Sequence, residues 1–208
     1  KMQGRLTRAF ERRDVKAILR LSAEMGHYVG DAHVPLHTTR NYNGQLTNQI
    51  GIHAFWESRL PELFADEQYD FLVGKAQYIE KPQSFFWDMV LESHLLVDSV
   101  LQIEKRLSRQ FPKDAQYCYE ERLGQTVYTQ CRPYAEAFHR ALRGQVASRM
   151  RSSVHSLGSC WYTAWIDAGQ PDLLDVQPEI LSEAERMADR EREKAFQQGQ
   201  IFGRNHGE

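Results

Sequence analysis

Long apolar runs are missing from this chain of 208 residues, and with them any stretch of the 18 or more apolar residues that a membrane-spanning helix needs. Charge of one sign is missing too. The 26 Lys and Arg stand against 28 Asp and Glu, a formal net charge of -2, so the basic footprint of a duplex-DNA binder is absent. Cysteine is scarce: Cys118, Cys131 and Cys160 are odd in number and form no CxxC pair. They specify neither a disulfide framework nor a zinc knuckle, and we read them as small buried or half-buried thiols. Strand patterns are nearly absent, with no sustained alternation of Val, Ile and Thr, and Asn43-Gly44 lies in a polar loop. The stretch from Lys1 to Arg13 lacks the pattern of a secretory signal. Because it opens with Lys1, already in an amphipathic helical pattern, we expect a fragment or a processed product.

Large side chains are present in quantity. Hydrophobic residues make up 41% of the chain, including 10 Phe, 9 Tyr and 4 Trp, enough to close a sizeable core and to exclude disorder over most of the length. Their spacing is helical. Leu6, Phe10, Ile18, Leu19, Met25 and Val29 predict a first helix to about Asp31, followed by an irregular loop over 32–51. A second helix opens near Gly51 and carries His53, Phe55, Trp56 and Leu60, with Pro61 ending or kinking it. Residues 65–82 read as a connection. Long amphipathic helices are expected over 84–111 and again from Ala135 to Trp165, and Trp56, Trp87, Trp161 and Trp165 fall on apolar stripes as packing residues. The expected architecture is an all-α multi-helix bundle over 1–171, with a charged helix and a polar, frayed tail over 172–208.

Of the 8 histidines, His27, His33, His37 and His53 crowd between residues 27 and 57, where even scattering would place about one. The offsets of the carboxylates sharpen the cluster. His27 precedes Asp31 by four residues and His53 precedes Glu57 by four, and positions i and i+4 share one helix face with Cβ atoms about 5 to 6 Å apart. His37 follows Asp31 across Pro35, so the loop can fold its imidazole back toward the first helix. Imidazoles with carboxylates and no thiolate suit Zn²⁺, although other divalent metals accept the same set.

A single His-x-x-x-acid pair is more often an ordinary hydrogen-bonded pair. Two such pairs and a loop histidine shift the weight, because Asp31 and Glu57 beside Phe55 and Trp56 need a cation or an ion-pair partner, with Arg40 or Arg59 as the alternatives. His33 is the weakest member and is expected to face solvent or to stand behind the ligands. His94, His139 and His155 have no acid at i±4 and read as surface or core-edge residues, and His206 belongs to the tail.

His27-Tyr28-Val29-Gly30-Asp31, then Pro35-Leu36-His37, then Gly51-Ile52-His53-Ala54-Phe55-Trp56-Glu57 resemble the zinc-dependent phospholipase C and S1/P1 nuclease superfamily, its bacterial members most closely. The resemblance covers residues 27–57 and implies an all-α fold of the phospholipase C and P1 nuclease type. It also implies three zinc ions in a cleft between helices and hydrolysis of phosphate esters by metal-activated water. On this pattern His37, His53 and Glu57 match the ligands of one zinc, His27 and Asp31 match two ligands of a second, and Asp31 bridges to the third. The family's remaining ligands precede the helix that opens this chain, so the resemblance implies an N-terminally incomplete member, the C-terminal part of the family domain. It assigns no general base here. Relatives are commonly secreted or periplasmic, which is the expected location.

Two rival readings stand beside the phospholipase-like one. A single-strand nuclease or 3′-nucleotidase of the S1/P1 kind would need an aromatic platform beside the metals, and Tyr42 in the loop is the candidate substrate-binding residue. A non-catalytic helical scaffold holding one zinc is the other. The expected partner is a phosphate-ester substrate, phospholipid or nucleotide, with no duplex DNA and no transmembrane segment.

Overall fold

A computed structural model of the protein describes residues 1–122, 124–174 and 183–198, and helices dominate them. The expected first helix is two. Helix α1 (Met2–Glu11) ends where Arg13 takes a left-handed φ of 55°, and α2 (Val15–Ala32) starts anew with the Asp14 carboxylate accepting from the Ala17 N–H at 2.9 Å. A 3-10 turn over Pro35–Thr38 follows. Helix α3 (Ile52–Ala54) widens into a π-turn over Phe55–Arg59 and continues as α4 (Leu60–Gln68). Pro61 therefore does not end this helix. The Leu60 N–H reaches back to Phe55 O, and the wider turn gives the proline ring room against the preceding carbonyls.

Residues 69–81 run without regular structure along a later helix, and their backbone is satisfied by its side chains. Ser159 accepts from the Gln77 N–H at 3.1 Å and Thr163 from the Ile79 N–H at 2.9 Å. The next two long helices expected from the apolar period are each divided. Helix α5 (Pro82–His94) and α6 (Val97–Ser108) meet at a turn, and α8 (Arg132–Ala141) and α9 (Gln145–Asp167) are separated by Arg143 and Gly144, both at positive φ. The short α7 (Lys113–Gln116) precedes the first departure from an all-helical chain.

That departure is an antiparallel hairpin of β1 (Tyr117–Arg122) and β2 (Gln125–Gln130), with Tyr119 opposite Tyr128. The expectation of no strands is corrected here. Polar side chains on both faces hide the alternation, while the tyrosines supply the strand preference and stack across the ladder, Tyr119 and Tyr128 ring centroids lying 5.0 Å apart. The reading of all three cysteines as free thiols is corrected with it. Cys118 and Cys131 form a disulfide, their Cα atoms 5.3 Å apart, and only Cys160 is free and buried. A lone hairpin is marginal in water. This one is held by the disulfide and by buried Arg59, whose guanidinium donates to Gln130 O at 3.1 and 3.0 Å and pairs with Glu120 at 2.6 Å.

Two apolar cores result. One gathers Leu36, Phe55, Trp56, Leu60, Phe64, Val100, Tyr134 and Phe138, and the other gathers Leu6, Phe10, Leu21, Met25, Val29, Met89, Cys160 and Ala164. Helix α9 serves both, through Val146 in the first and Cys160 in the second. Trp56 packs as expected, but Trp87 is 61% and Trp161 39% exposed, which corrects their packing assignment. The charged segment forms α10 (Glu183–Gln197), and the tail beyond residue 198 lies outside the described residues. No helix among the described residues is long and apolar enough to cross a membrane.

Candidate metal centre

The five candidate ligands meet at the seam between the two cores. Helix α2 turns Leu21, Met25 and Val29 into one core and leaves His27 and Asp31 on the adjoining face, with His27 Nε2 3.4 Å from Asp31 Oδ2. From the other core, α3 and the π-turn present His53 and Glu57, with His53 Nε2 2.7 Å from Glu57 Oε2. His37, on the 3-10 turn between them, places Nε2 3.4 Å from Glu57 Oε2 and 3.8 Å from Asp31 Oδ1. The groups form one continuous row in which Asp31 offers a different oxygen to each neighbouring imidazole. Within it the donor atoms of His37, His53 and Glu57 all lie within 4.8 Å of one another.

Loop 39–51 orients this set, and it is far more ordered than its composition suggests. The Asn41 side chain accepts from the Leu46 N–H at 2.8 Å and donates to Thr47 at 3.0 Å, and Asn43 accepts from the Gly51 N–H at 3.0 Å. Gly44 has a φ of 75°, and a Cβ there would stand 2.3 Å from Gln49 O, so only glycine fits. The loop delivers the Tyr42 carbonyl to His53 Nδ1 at 3.0 Å. A carbonyl only accepts, so Nδ1 carries a hydrogen, and the ring is oriented with Nε2 toward the Glu57 carboxylate. Nε2 and Glu57 Oε2 stand at hydrogen-bond distance, 2.7 Å, a contact satisfied by a proton on the imidazole or by a cation shared between the two.

Electrostatics agree with that geometry. Burial acts to raise the Glu57 carboxyl, but hydrogen bonds from His37 and His53 and their charge overcome it and bring it down to about 2. The hydrogen bond to Glu57 raises the His37 imidazole against the opposing effect of burial. Arg59 does not neutralise these acids: it is spent on Glu62, Glu120 and the hairpin backbone. Two imidazoles and a carboxylate, with one imidazole oriented by a backbone carbonyl, are a donor set that fits zinc in an open three-ligand site.

The remaining candidates fall in different places. Tyr42 stands beside the cluster, its ring 49% exposed and 6.3 Å from that of His53. His33 is not at the surface. It is 3% exposed, with Nδ1 bonded to Val29 O at 2.7 Å, because the turn after α2 points it inward. His94 bonds Thr38, His139 meets Tyr69 and Gln68, and His155 donates to Lys75 O.

Two features escaped the sequence reading. Asp31 and Glu57 border a cavity of about 370 Å³ whose walls include Trp56, Phe71, Val146, Met150 and Val154. Arg149 shares this wall and is buried. The signal for Arg149 was a cation inside the apolar stripe of α9, between Val146 and Met150. Family models, curated proteins and solved structures contain no match to this chain, so its site speaks through its own residues.

Proposed function

We propose that the chain is a zinc-dependent phosphoric ester hydrolase of the phospholipase C and S1/P1 nuclease type. The observation that carries the proposal is the convergence of the His37, His53 and Glu57 donor atoms within 4.8 Å, with Asp31 reaching toward both His37 and His27. A bound divalent cation would supply Lewis acidity toward a phosphoryl oxygen and bring the pKa of a water down toward about 7. The protein's part is positional. Glu57 stays ionised throughout the ordinary pH range, the Tyr42 carbonyl fixes the tautomer of His53, and Asp31 is oriented to serve two ions at once. Dications meeting the charge on phosphorus oxygens also make a basic surface unnecessary, in keeping with the net charge of -2. The apolar walls of the adjoining cavity favour an ester with an apolar organic group. The Cys118–Cys131 disulfide supports an oxidising, secreted or periplasmic location.

One observation favours the nuclease form of the same chemistry: the half-exposed Tyr42 ring beside His53 offers a face on which a base could stack. Turnover of phosphatidylcholine compared with that of single-stranded RNA and 3′-nucleotides separates the two.

Metal analysis of the purified chain tests the proposal. Zinc should be retained after dialysis, and His53→Ala and Glu57→Gln should each lose it while the helical far-ultraviolet signal persists. Full zinc content in both variants would remove the site, and one tightly held ion with no ester hydrolysis would leave the non-catalytic scaffold.

A further inference from the structure

Arg149 is a buried cation that the chemistry above does not use. Its side chain is 8% exposed, while its acidic partner among the described residues, Glu92 at 3.0 Å, is 63% exposed. The other bonds go to neutral acceptors: His33 O at 3.3 Å, Met89 O at 3.2 Å and Ser93 Oγ at 2.8 Å. Ser93 in turn donates to Ala32 O at 2.6 Å. Ala32 and His33 form the joint between α2, which ends in Asp31-Ala32, and the 3-10 turn that bears His37. One guanidinium from α9 therefore ties the C-terminal ends of α2 and α5 together at the point where the chain passes from one candidate ligand to the next, the end of a helix that favours a cation.

An ion pair whose carboxylate stands largely in solvent adds little stability by itself. Arg149 also sits where a methionine could fill the same space against Val34, Val146 and Met150. What methionine could not do is hold three acceptors in fixed directions, which the planar guanidinium fork does. The reason for a cation at this position is thus geometric, and the geometry it sets is that of the turn after Asp31.

We infer that Arg149 is a positioning residue that holds Asp31 and His37 in register through the backbone of Ala32 and His33, so that the metal centre is assembled before any ion arrives. The inference rests on the metal-centre reading. It adds a residue outside the ligand row that acts through the backbone and touches no reacting atom.

Cobalt(II), whose absorption bands report ligand number and geometry, is the probe. The wild-type chain should bind it with a defined visible spectrum. Arg149→Met should lower the thermal midpoint of the metal-free chain but keep its helical far-ultraviolet signal, and bind cobalt roughly 10- to 100-fold more weakly with an altered spectrum. Arg149→Lys should restore only part of the loss, since a point charge cannot hold all three acceptors. Wild-type affinity and spectrum in Arg149→Met would overturn the positioning role. If Arg149→Met fails to fold, Ser93→Ala decides, because it removes one bond from the same joint. Several-fold weaker cobalt binding by this variant supports the inference, and unchanged binding overturns it. No cobalt binding by the wild-type chain would overturn the metal reading and this inference together, whereas binding that Arg149→Met retains overturns this one alone.

Discussion

His139 stacks on Phe64 with ring centroids 4.4 Å apart, and its nitrogens meet the Tyr69 hydroxyl at 3.3 Å and the Gln68 side chain at 3.2 Å. Burial lowers its pKa below the ordinary 6.5. A histidine whose folded pKa is depressed stabilises the fold fully above the unfolded value and loses that contribution as pH falls through 6.5 toward the folded one. Thermal midpoints at pH 7 and pH 5 should therefore fall further for the wild-type chain than for His139→Gln, and equal falls would contradict the assignment. The nearness of the candidate ligands, in contrast, was legible in their spacing. The pairs His27 with Asp31 and His53 with Glu57 depend only on helix geometry, which a spacing of four encodes. His33 and the Cys118–Cys131 pair were not legible, because which way a turn residue points and which thiol meets which are decided by segments far away in the chain.

Loop 39–51 looks formless as a string of polar residues, and its order comes from side chains bonding to backbone, a pattern that composition does not display. Gly44 is the position where this order can be tested. Alanine there would have to adopt a positive φ and push its Cβ into Gln49 O, at a cost of about 2 kcal/mol or more. Gly44→Ala should lower the thermal midpoint and also weaken zinc retention, since the same loop presents the Tyr42 carbonyl to His53. An unchanged midpoint would mean that the loop is not held as described. The helix breaks at Arg13 and Gly144 were hidden for a related reason. The apolar period resumes almost in phase after one or two residues at positive φ, so periodicity alone fuses α1 with α2 and α8 with α9. The hairpin was hidden because its strands bury little, and their partner is the Arg59 side chain rather than an apolar face.

At the scale of the whole molecule, the candidate centre draws His27 and Asp31 from the core built on α1, α2, α5 and α9, and His53 and Glu57 from the core around α4, α6 and α8. The helical class of the fold was legible from apolar spacing, but the division into two cores was not, since it follows from how the helices cross. A ligand that binds only the folded state stabilises it by mass action, about 2.7 kcal/mol at 100 times its Kd. For a chain of this length zinc at that excess should raise the midpoint by roughly 5 to 10 °C. A chelator should reverse the shift, and His53→Ala should not show it. The same shift in the variant would place the stabilising ion elsewhere.

Because the candidate donors come from the edges of both cores, an ion bound there would work as a keystone between them. Loading the centre would then slow amide exchange where α2 meets the turn that carries Glu57, a clock for how often that boundary opens.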